Sequence, residues 1–384
     1  MNVTSSQTYL GSHFKPTVQY VDCMKIYVNA ANNWTIMNYN KEQLTDSNVL
    51  TLGLFRSVIF NTEKKMVCFS PPKSVTYDQV FHPENDVKLD YEYEEHIEGT
   101  MINLFWCEQW EISTKCVIGG NNGVNINGNV TFRKMFDDMF RQSNISYDDL
   151  NKEYSYSFVL QHINNPIVSP VSKSRLVLIA IYRIENKENP SEILVHVIDK
   201  REYHHQFLNN SNIELPTQYS YEEYYTKFDQ LINNQCIYSF VGISVYNKKT
   251  YRRCKIVNPS YQYYKHLRGN DYNQMHRFMR NYKNNSIHPY LICFPNDIFI
   301  FDKYNDCMNK LYKSMYDLYC KHYIKKEKLA NDCPNSLKKY LSQIHYNYYT
   351  FLKPHHQRVT LEYIKQFIHY LDVKLTCDLL LTQI

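Results

Sequence analysis

No stretch of this chain stays apolar long enough to cross a bilayer. The opening residues, Met1 to Pro16, are polar where a secretory leader would need an apolar core. The sequence therefore reads as that of a soluble, intracellular protein, with the cytoplasm as its expected location and no membrane among its partners. Cysteine is present but unpatterned. Eleven residues are scattered with no Cys-x-x-Cys pair and no spacing matched to histidines. This argues against a zinc site and against an extracellular disulfide framework. His204-His205 and His355-His356 lack a Cys or acidic partner at ligand spacing, so they read as surface or half-buried histidines, and no metal site is expected. Glycine is scarce, 9 of 384 residues, and three of the nine fall together in Gly119-Gly120-Asn121-Asn122-Gly123. That run predicts a loop needing positive φ angles, either bordering a pocket or forming a plain surface turn. There is no internal repeat and no long low-complexity tract.

What is present describes an ordinary globular chain, 43% hydrophobic and 21% charged, with length enough for two domains. Tyrosine is abundant at 36 residues. The heavy use of Asn, Tyr, Ile and Lys matches an AT-rich coding sequence, so the tyrosine count alone carries no functional meaning. The net charge of +5 hides an asymmetry. From Tyr251 onward there are 21 lysines and arginines against 10 acids, and before it 22 against 28. A basic C-terminal third suits a polyanion or an acidic protein partner, and equally a solvated helical surface.

Short β-branched or aromatic runs bounded by turn residues predict strands at 56–61, 66–70, 100–105, 110–114, 156–161, 176–183, 193–197, 237–246 and 251–257. Helices are expected at 41–49, 131–141 and 221–233. Strands interrupted by helices without strict alternation predict an α+β domain of mostly antiparallel pairing over residues 1–258. From about Pro259 the pattern becomes helical, giving a helical C-terminal domain over 259–384. Apolar residues at helical spacing run through 300–324 and 337–351, and Pro354 interrupts them. Thr360 is placed to cap a helix burying Ile364, Phe367, Ile368 and Leu371, and a last helix covers 373–381.

The run Glu95-His96-Ile97-Glu98-Gly99-Thr100, followed by a strand and then Thr114-Lys115, resembles the phage-type RNA ligase 1 family of covalent nucleotidyltransferases. In that family Lys-x-Asp-Gly-Ser opens one strand and Thr-Lys-Gly-Ser closes the next. His96 stands in the lysine place and Glu98 in the acid place, and Gly99 is kept. Leu54-Phe55-Arg56-Ser57-Val58-Ile59-Phe60 is similar to the family's Ala-Arg-Gly-Ile-x-Phe strand, and Ser70-Pro71-Pro72-Lys73 to its Arg-Pro-x-x-Lys segment. Tyr156 to His162, with Asn164 to Val168, resembles Phe-Glu-x-x-x-x-x-Asn-x-Ile-Val. Val241-Gly242-Ile243-Ser244-Val245 falls where Glu-Gly-Tyr-Val is expected, and Lys255-Ile256-Val257 where Lys-x-Lys is expected. The order of these motifs through the first 270 residues implies an RNA-ligase-like fold, in the form carried by such proteins of large DNA viruses.

The resemblance also marks departures. The nucleophilic lysine is His96, the acid after the aromatic is Val159, the Glu of Glu-Gly is Val241, and the second lysine of Lys-x-Lys is Val257. In active relatives a lysine amine attacks the α-phosphorus, acids hold the metal, and paired lysines stabilise the departing pyrophosphate. Loss of one oriented charge of this kind costs about two to three orders of magnitude in rate. The implied function is a catalytically degenerate ligase relative that binds RNA, an RNA 5′ end or cap, or a nucleotide, within a larger complex acting on mRNA. Arg56, Lys73, Lys115 and Lys255 would gather in one cleft with Glu98 and Gly99 beside them, and Phe158 would offer a stacking face. Alternatively these cations are satisfied by Glu94, Glu95, Glu98 or Glu111. Two other functions are compatible with the residues. One is an active ligase or nucleotidyltransferase using His96 or Lys88 as nucleophile, with Mg²⁺ and ATP or GTP. The other is a structural module that binds other proteins through its basic helical domain.

Overall fold

A computed structural model describes residues 8–9, 23–81, 90–122, 130–169, 171–187, 193–269, 273–327 and 335–381. The chain divides into two compact units, Met1–Tyr263 and Tyr264–Ile384. The first is α+β and the second is helical, as the residue pattern predicts.

Unit 1 carries three antiparallel sheets. The largest has the order β1-β11-β10-β9-β7-β8, from β1 (Thr8–Tyr9), β7 (Thr100–Cys107), β8 (Gln109–Ser113), β9 (Tyr154–Gln161), β10 (Arg175–Asn186) and β11 (Ile193–Ile198). Its two faces follow from strand alternation. Tyr156, Phe158 and Leu160 of β9 point to one side and are buried with Phe132, Met135, Phe136 and Phe140 of helix α3 (Phe132–Arg141). That helix starts where expected because the Thr131 hydroxyl accepts from the Lys134 N–H. Ser155, Ser157 and Val159 occupy the opposite face.

The second sheet, order β12-β6-β13-β14, comprises β6 (Tyr91–Glu95), β12 (Gln218–Tyr219), β13 (Gly242–Asn247) and β14 (Arg253–Val257). Helix α5 (Tyr221–Ile232) covers its apolar side, with the Tyr224 ring stacked 4.2 Å from that of Tyr93. Ser220 and Glu223 form a capping box at its start. The third sheet is β2-β3-β4-β5, from β2 (Met24–Val28), β3 (Thr35–Tyr39), β4 (Arg56–Phe60) and β5 (Met66–Cys68).

Two expectations are corrected here. No continuous helix covers 41–49. A single 3₁₀ turn at Lys41–Gln43 and helix α1 (Val49–Leu52) flank a bend. Asn48 causes it, accepting from the Thr45 N–H and donating to the Gln43 carbonyl, so local side-chain bonds replace helical ones. The strand expected at 237–246 begins only at Gly242. The carbonyls of Ile237 and Phe240 are taken by the Asn258 amide instead of a ladder. Strands β2, β3 and β6 were not expected at all. The remaining short helices of unit 1 are α2 (Tyr77–Val80) and α4 (Lys200–Tyr203), and the unit boundary falls inside α6 (Pro259–Arg268).

Unit 2 is built from α7 (Gln274–Lys283), α8 (Ile287–Cys293), α9 (Ile298–Tyr319), α10 (Asn335–Asn347), α11 (Leu361–Tyr370) and α12 (Val373–Leu381). Phe278, Leu311, Met315, Leu341, Ile344 and Ile368 form its core. The helical stripe read from 300–324 is α9 continued by a π-helical turn at Cys320–Ile324, and a second such turn follows α10 at Tyr348–Leu352. Thr360 caps α11 as expected. Among the described residues no helix is long and apolar enough to cross a membrane.

Glycine matters where backbones touch. At Gly242 φ is +142°, and an added Cβ would lie 2.1 Å from the Ile256 carbonyl oxygen. Gly119, at φ +85°, has no neighbour nearer than the Asn121 amide at 3.1 Å. Gly242→Ala is expected to cost about 3 kcal/mol or more, and Gly119→Ala only about 1 kcal/mol. Urea unfolding monitored by circular dichroism checks the contrast, and equal losses would contradict it.

Candidate functional site

The second sheet sets the geometry. β13 pairs with β6 and β14 so that Ser244 lies between Glu94 and Lys255, and Tyr246 between Glu92 and Arg253. These residues share one face. His96 follows β6, and its N–H donates to the Gly242 carbonyl at 2.9 Å. Its ring reaches back into the Ser244 row, with Nδ1 3.2 Å from the Ser244 hydroxyl and Nε2 3.2 Å from the Lys255 amine. An ammonium can only donate, so Lys255 donates to Nε2 and the Nδ1–H faces Ser244. Both ring nitrogens are thereby engaged. His96 and Lys255 come together.

Glu98 and Gly99 have structural roles here. The buried Glu98 carboxylate accepts from the backbone N–H groups of Val168 and Ser169, at 2.9 and 3.0 Å. The Gln161 amide donates to its carbonyl. Glu98 thus fastens the loop that follows β9. Gly99, at φ +151°, lets the chain pass against β9, since a Cβ there would meet Val159 Cγ1 at 2.5 Å and the Leu160 carbonyl at 2.6 Å. The stacking face expected of Phe158 is absent. Its side chain is fully buried on the α3 side of β9, beside Phe136, and strand alternation gives the other side to Val159. Lys88 and Gly123 lie outside the described residues.

The other cations assemble around β4, the segment after β5, and β14. Arg56 begins β4 and donates to the Pro71 carbonyl. Arg253 begins β14, is 8% exposed, and donates to the Pro72 carbonyl, while its Nε proton has no hydrogen-bond partner. The Lys73 amine donates to the Ser74 carbonyl, and the Ser74 hydroxyl is itself buried without a partner. Lys115 is exposed, its amine 5.4 Å from the centre of the Tyr39 ring, and its carbonyl accepts from Asn38 and Ser57. Burial, and after it the neighbouring Arg253, pulls the Arg56 guanidinium down to about 10, which leaves it charged at neutral pH. Burial first, then Arg56, Arg253 and Lys41, holds Lys73 below the ordinary lysine range. Desolvation also lowers Lys115, and Arg56, Lys25 and Lys41 add to it.

No described acid forms an ion pair with Arg56, Lys73, Arg253 or Lys115. Glu94 is buried between Lys200, at 2.6 Å, and Arg201. Burial opposes the charge on Lys200, yet Glu94, Tyr246 and Glu92 together hold its pKa above the ordinary lysine value. Glu92 also takes Arg201, Glu111 takes Arg133, and Glu95 accepts from the Thr217 hydroxyl. The four acids expected to neutralise the cleft thus have other described partners, Glu94 with Lys200 at the edge of the cleft, which Glu92 and Asp199 also line.

A cleft of about 720 Å³ opens beside this cluster, lined by Leu54, Pro72, Lys73, Ala180, Tyr182, Lys200, Tyr246 and Arg253 among others. Its volume lies in the range of small-ligand sites. Arg253 and Lys200 were not anticipated. Arg253 could have been found from strand alternation, because it stands two residues before Lys255 on the same face. Lys200 carried no comparable signal. Among the described residues no three His, Cys, Asp or Glu side chains come together in a way that could hold a metal ion.

No family model matches the chain. It is 25% identical over 205 residues to an RNA ligase of Rhodothermus phage RM378. Over that stretch the chain is similar to an RNA ligase. The match spans 45% of this chain and 45% of the phage protein, less than half the length of that relative. Two forms of an archaeal ATP-dependent RNA ligase align at 10% identity. Form 2 has a TM-score of 0.42 over 75% of this chain and 71% of that one. Form 1 has a TM-score of 0.39 over 68% and 63%.

An anion in the cleft beside Lys73 would favour its charged amine and raise its pKa from the lowered free-state position. Binding then takes up protons, and affinity falls as pH rises through that lowered value. Calorimetric titration with pyrophosphate between pH 7 and 10, in buffers of different ionisation heat, should show weakening and proton uptake toward the alkaline end. A flat profile would remove Lys73 from the site.

Proposed function

We propose that this RNA-ligase-like protein binds a phosphorylated ligand, an RNA 5′ end or a nucleotide, in the unit 1 cleft without forming a covalent nucleotidyl intermediate. One observation carries the reading: Arg253 is buried, lacks a carboxylate partner, and has Arg56 and Lys73 as neighbours. A buried charge without a counter-charge is costly, by several kcal/mol even after local relaxation. A phosphate in the cleft would supply the missing negative charge beside Arg253 and Lys73. The apolar walls of the cleft, from Leu54 to Tyr182, suit the body of such a ligand.

The absence of covalent transfer is supported by the residues at the reacting position. His96 has its Nε2 lone pair taken by Lys255. Glu98 spends its carboxylate on two backbone amides. Val159, Val241 and Val257 put hydrocarbon where relatives of this family place charge. Phosphoryl and nucleotidyl transfer depend on oriented charge more than on shape.

The second reading keeps the chain active. It is favoured by His96 itself, an imidazole at the nucleophile position with a cation 3.2 Å away. That reading calls for Mg²⁺ and ATP or GTP. Incubation with α-³²P-labelled ATP or GTP and Mg²⁺ separates the two. The proposal expects no acid-labile protein label, whereas a label that disappears in His96→Ala would establish the alternative. In the same preparation Arg253→Met should weaken pyrophosphate or 5′-triphosphate RNA binding about tenfold or more, as for loss of a charge-assisted pair. Unchanged affinity would sink the cleft assignment.

A further inference from the structure

Unit 2 holds an aromatic cluster that plays no part in the cleft. It forms where the two π-helical turns meet. The His345 ring stacks on Tyr323 with centroids 3.8 Å apart and planes at 20°. Tyr349 meets His345 edge-on at 4.9 Å. The Lys353 amine sits 4.4 Å above the Tyr349 ring. The inner edge is fixed, since Tyr319 is buried and its hydroxyl lies 3.2 Å from His345 Nδ1. The outer edge is not covered. Tyr346, Tyr349 and Phe351 are each more than half exposed, as is Ile324 on the facing turn.

The charge around these rings is mostly positive. Residues 318–327 and 337–358 contain seven lysines and arginines and a single acid, Glu327. Lys321 and Lys325, two residues on either side of Tyr323, are exposed, as is Lys353 over the Tyr349 ring. Exposed aromatic rings set among an excess of cations, with Glu327 the single acid in those two stretches, complement a strand of unpaired bases joined by phosphates. An acidic protein segment would satisfy the lysines and leave the rings uncovered. A nucleic-acid duplex would offer phosphates and hide its base faces.

We propose that the Tyr323–His345–Tyr349 cluster with Lys321, Lys325 and Lys353 is a binding site for single-stranded RNA, reading base faces and backbone without a 5′ phosphate. The site is separate from the unit 1 cleft and stands or falls independently of it.

The probe is a fluorescein-labelled 15-residue oligouridylate with a 5′ hydroxyl, titrated with the full chain by fluorescence anisotropy. Binding should exceed that of a blunt RNA duplex of equal length. The double variant Tyr349→Ala/Phe351→Ala should lose about tenfold or more in affinity, in keeping with lost stacking on two bases. Lys325→Ala/Lys353→Ala should reduce the salt dependence of binding. Far-UV circular dichroism and the thermal melt should be unchanged in both, which shows that the variants fold. Photocrosslinks from 4-thiouridine should map to peptides covering 319–327 and 345–353. Equal affinity in the aromatic variant, equal binding of the duplex, or crosslinks confined to unit 1 would overturn the proposal.

Discussion

The pairing of β13 with β6 and β14 is the constraint on which unit 1's chemistry depends. It sets Glu92, Tyr246 and Arg253 in one row and Glu94, Ser244 and Lys255 in the next, on one face. A shift of one residue would turn every one of these side chains to the face covered by α5. Gly242 is where this register is made exact in space, because the β14 backbone passes too close for any Cβ. His96 follows from the same pairing, since its N–H bonds the Gly242 carbonyl and its ring then meets Ser244 and Lys255.

Charge is distributed unevenly across that face. Glu94, at the buried end of its row, is matched by Lys200 and Arg201. Such a closed set holds the sheet against α4 because removing any one member would strand the others in a low-dielectric interior. Arg253 has no equivalent partner, and Arg56 and Lys73 add to the imbalance. The same unit therefore contains one ion cluster that is complete within the protein and one that has no acid paired with it among the described residues. Valines stand at 159, 241 and 257, and under the proposed function they separate holding a phosphate from transferring one.

Much of the fold was legible because it rests on local chemistry. Thr131 and Thr360 announced helix starts, the apolar stripes of 300–324 and 337–351 announced core-facing helices, and the β-branched runs of β4, β7, β9, β10 and β11 announced strands. The failures also have local causes. Asn48 diverts the backbone before a helix can form. β6 reads Tyr-Glu-Tyr-Glu-Glu, and its alternation is hidden by glutamates that prove to be buried or paired. The site was half legible. The contact between His96 and Lys255 was not read from the sequence, and Phe158 was expected to offer a stacking face because a motif match does not say which way a strand is turned. Arg253 and Lys200 were missed because their importance lies in which acids they do or do not meet, and that is a property of three-dimensional neighbours.

Glu98 shows how chemical likeness and role can part company. By residue type it is a faithful stand-in for the family's aspartate, one methylene longer and equally anionic. In the folded chain that extra reach closes on the amides of Val168 and Ser169, and the side chain becomes a clasp. A scoring scheme that rewards Asp-to-Glu as a mild exchange would rank this position among the best retained of the whole motif. Its electrons are already spoken for, so even a lysine returned to position 96 would find no idle carboxylate next to it.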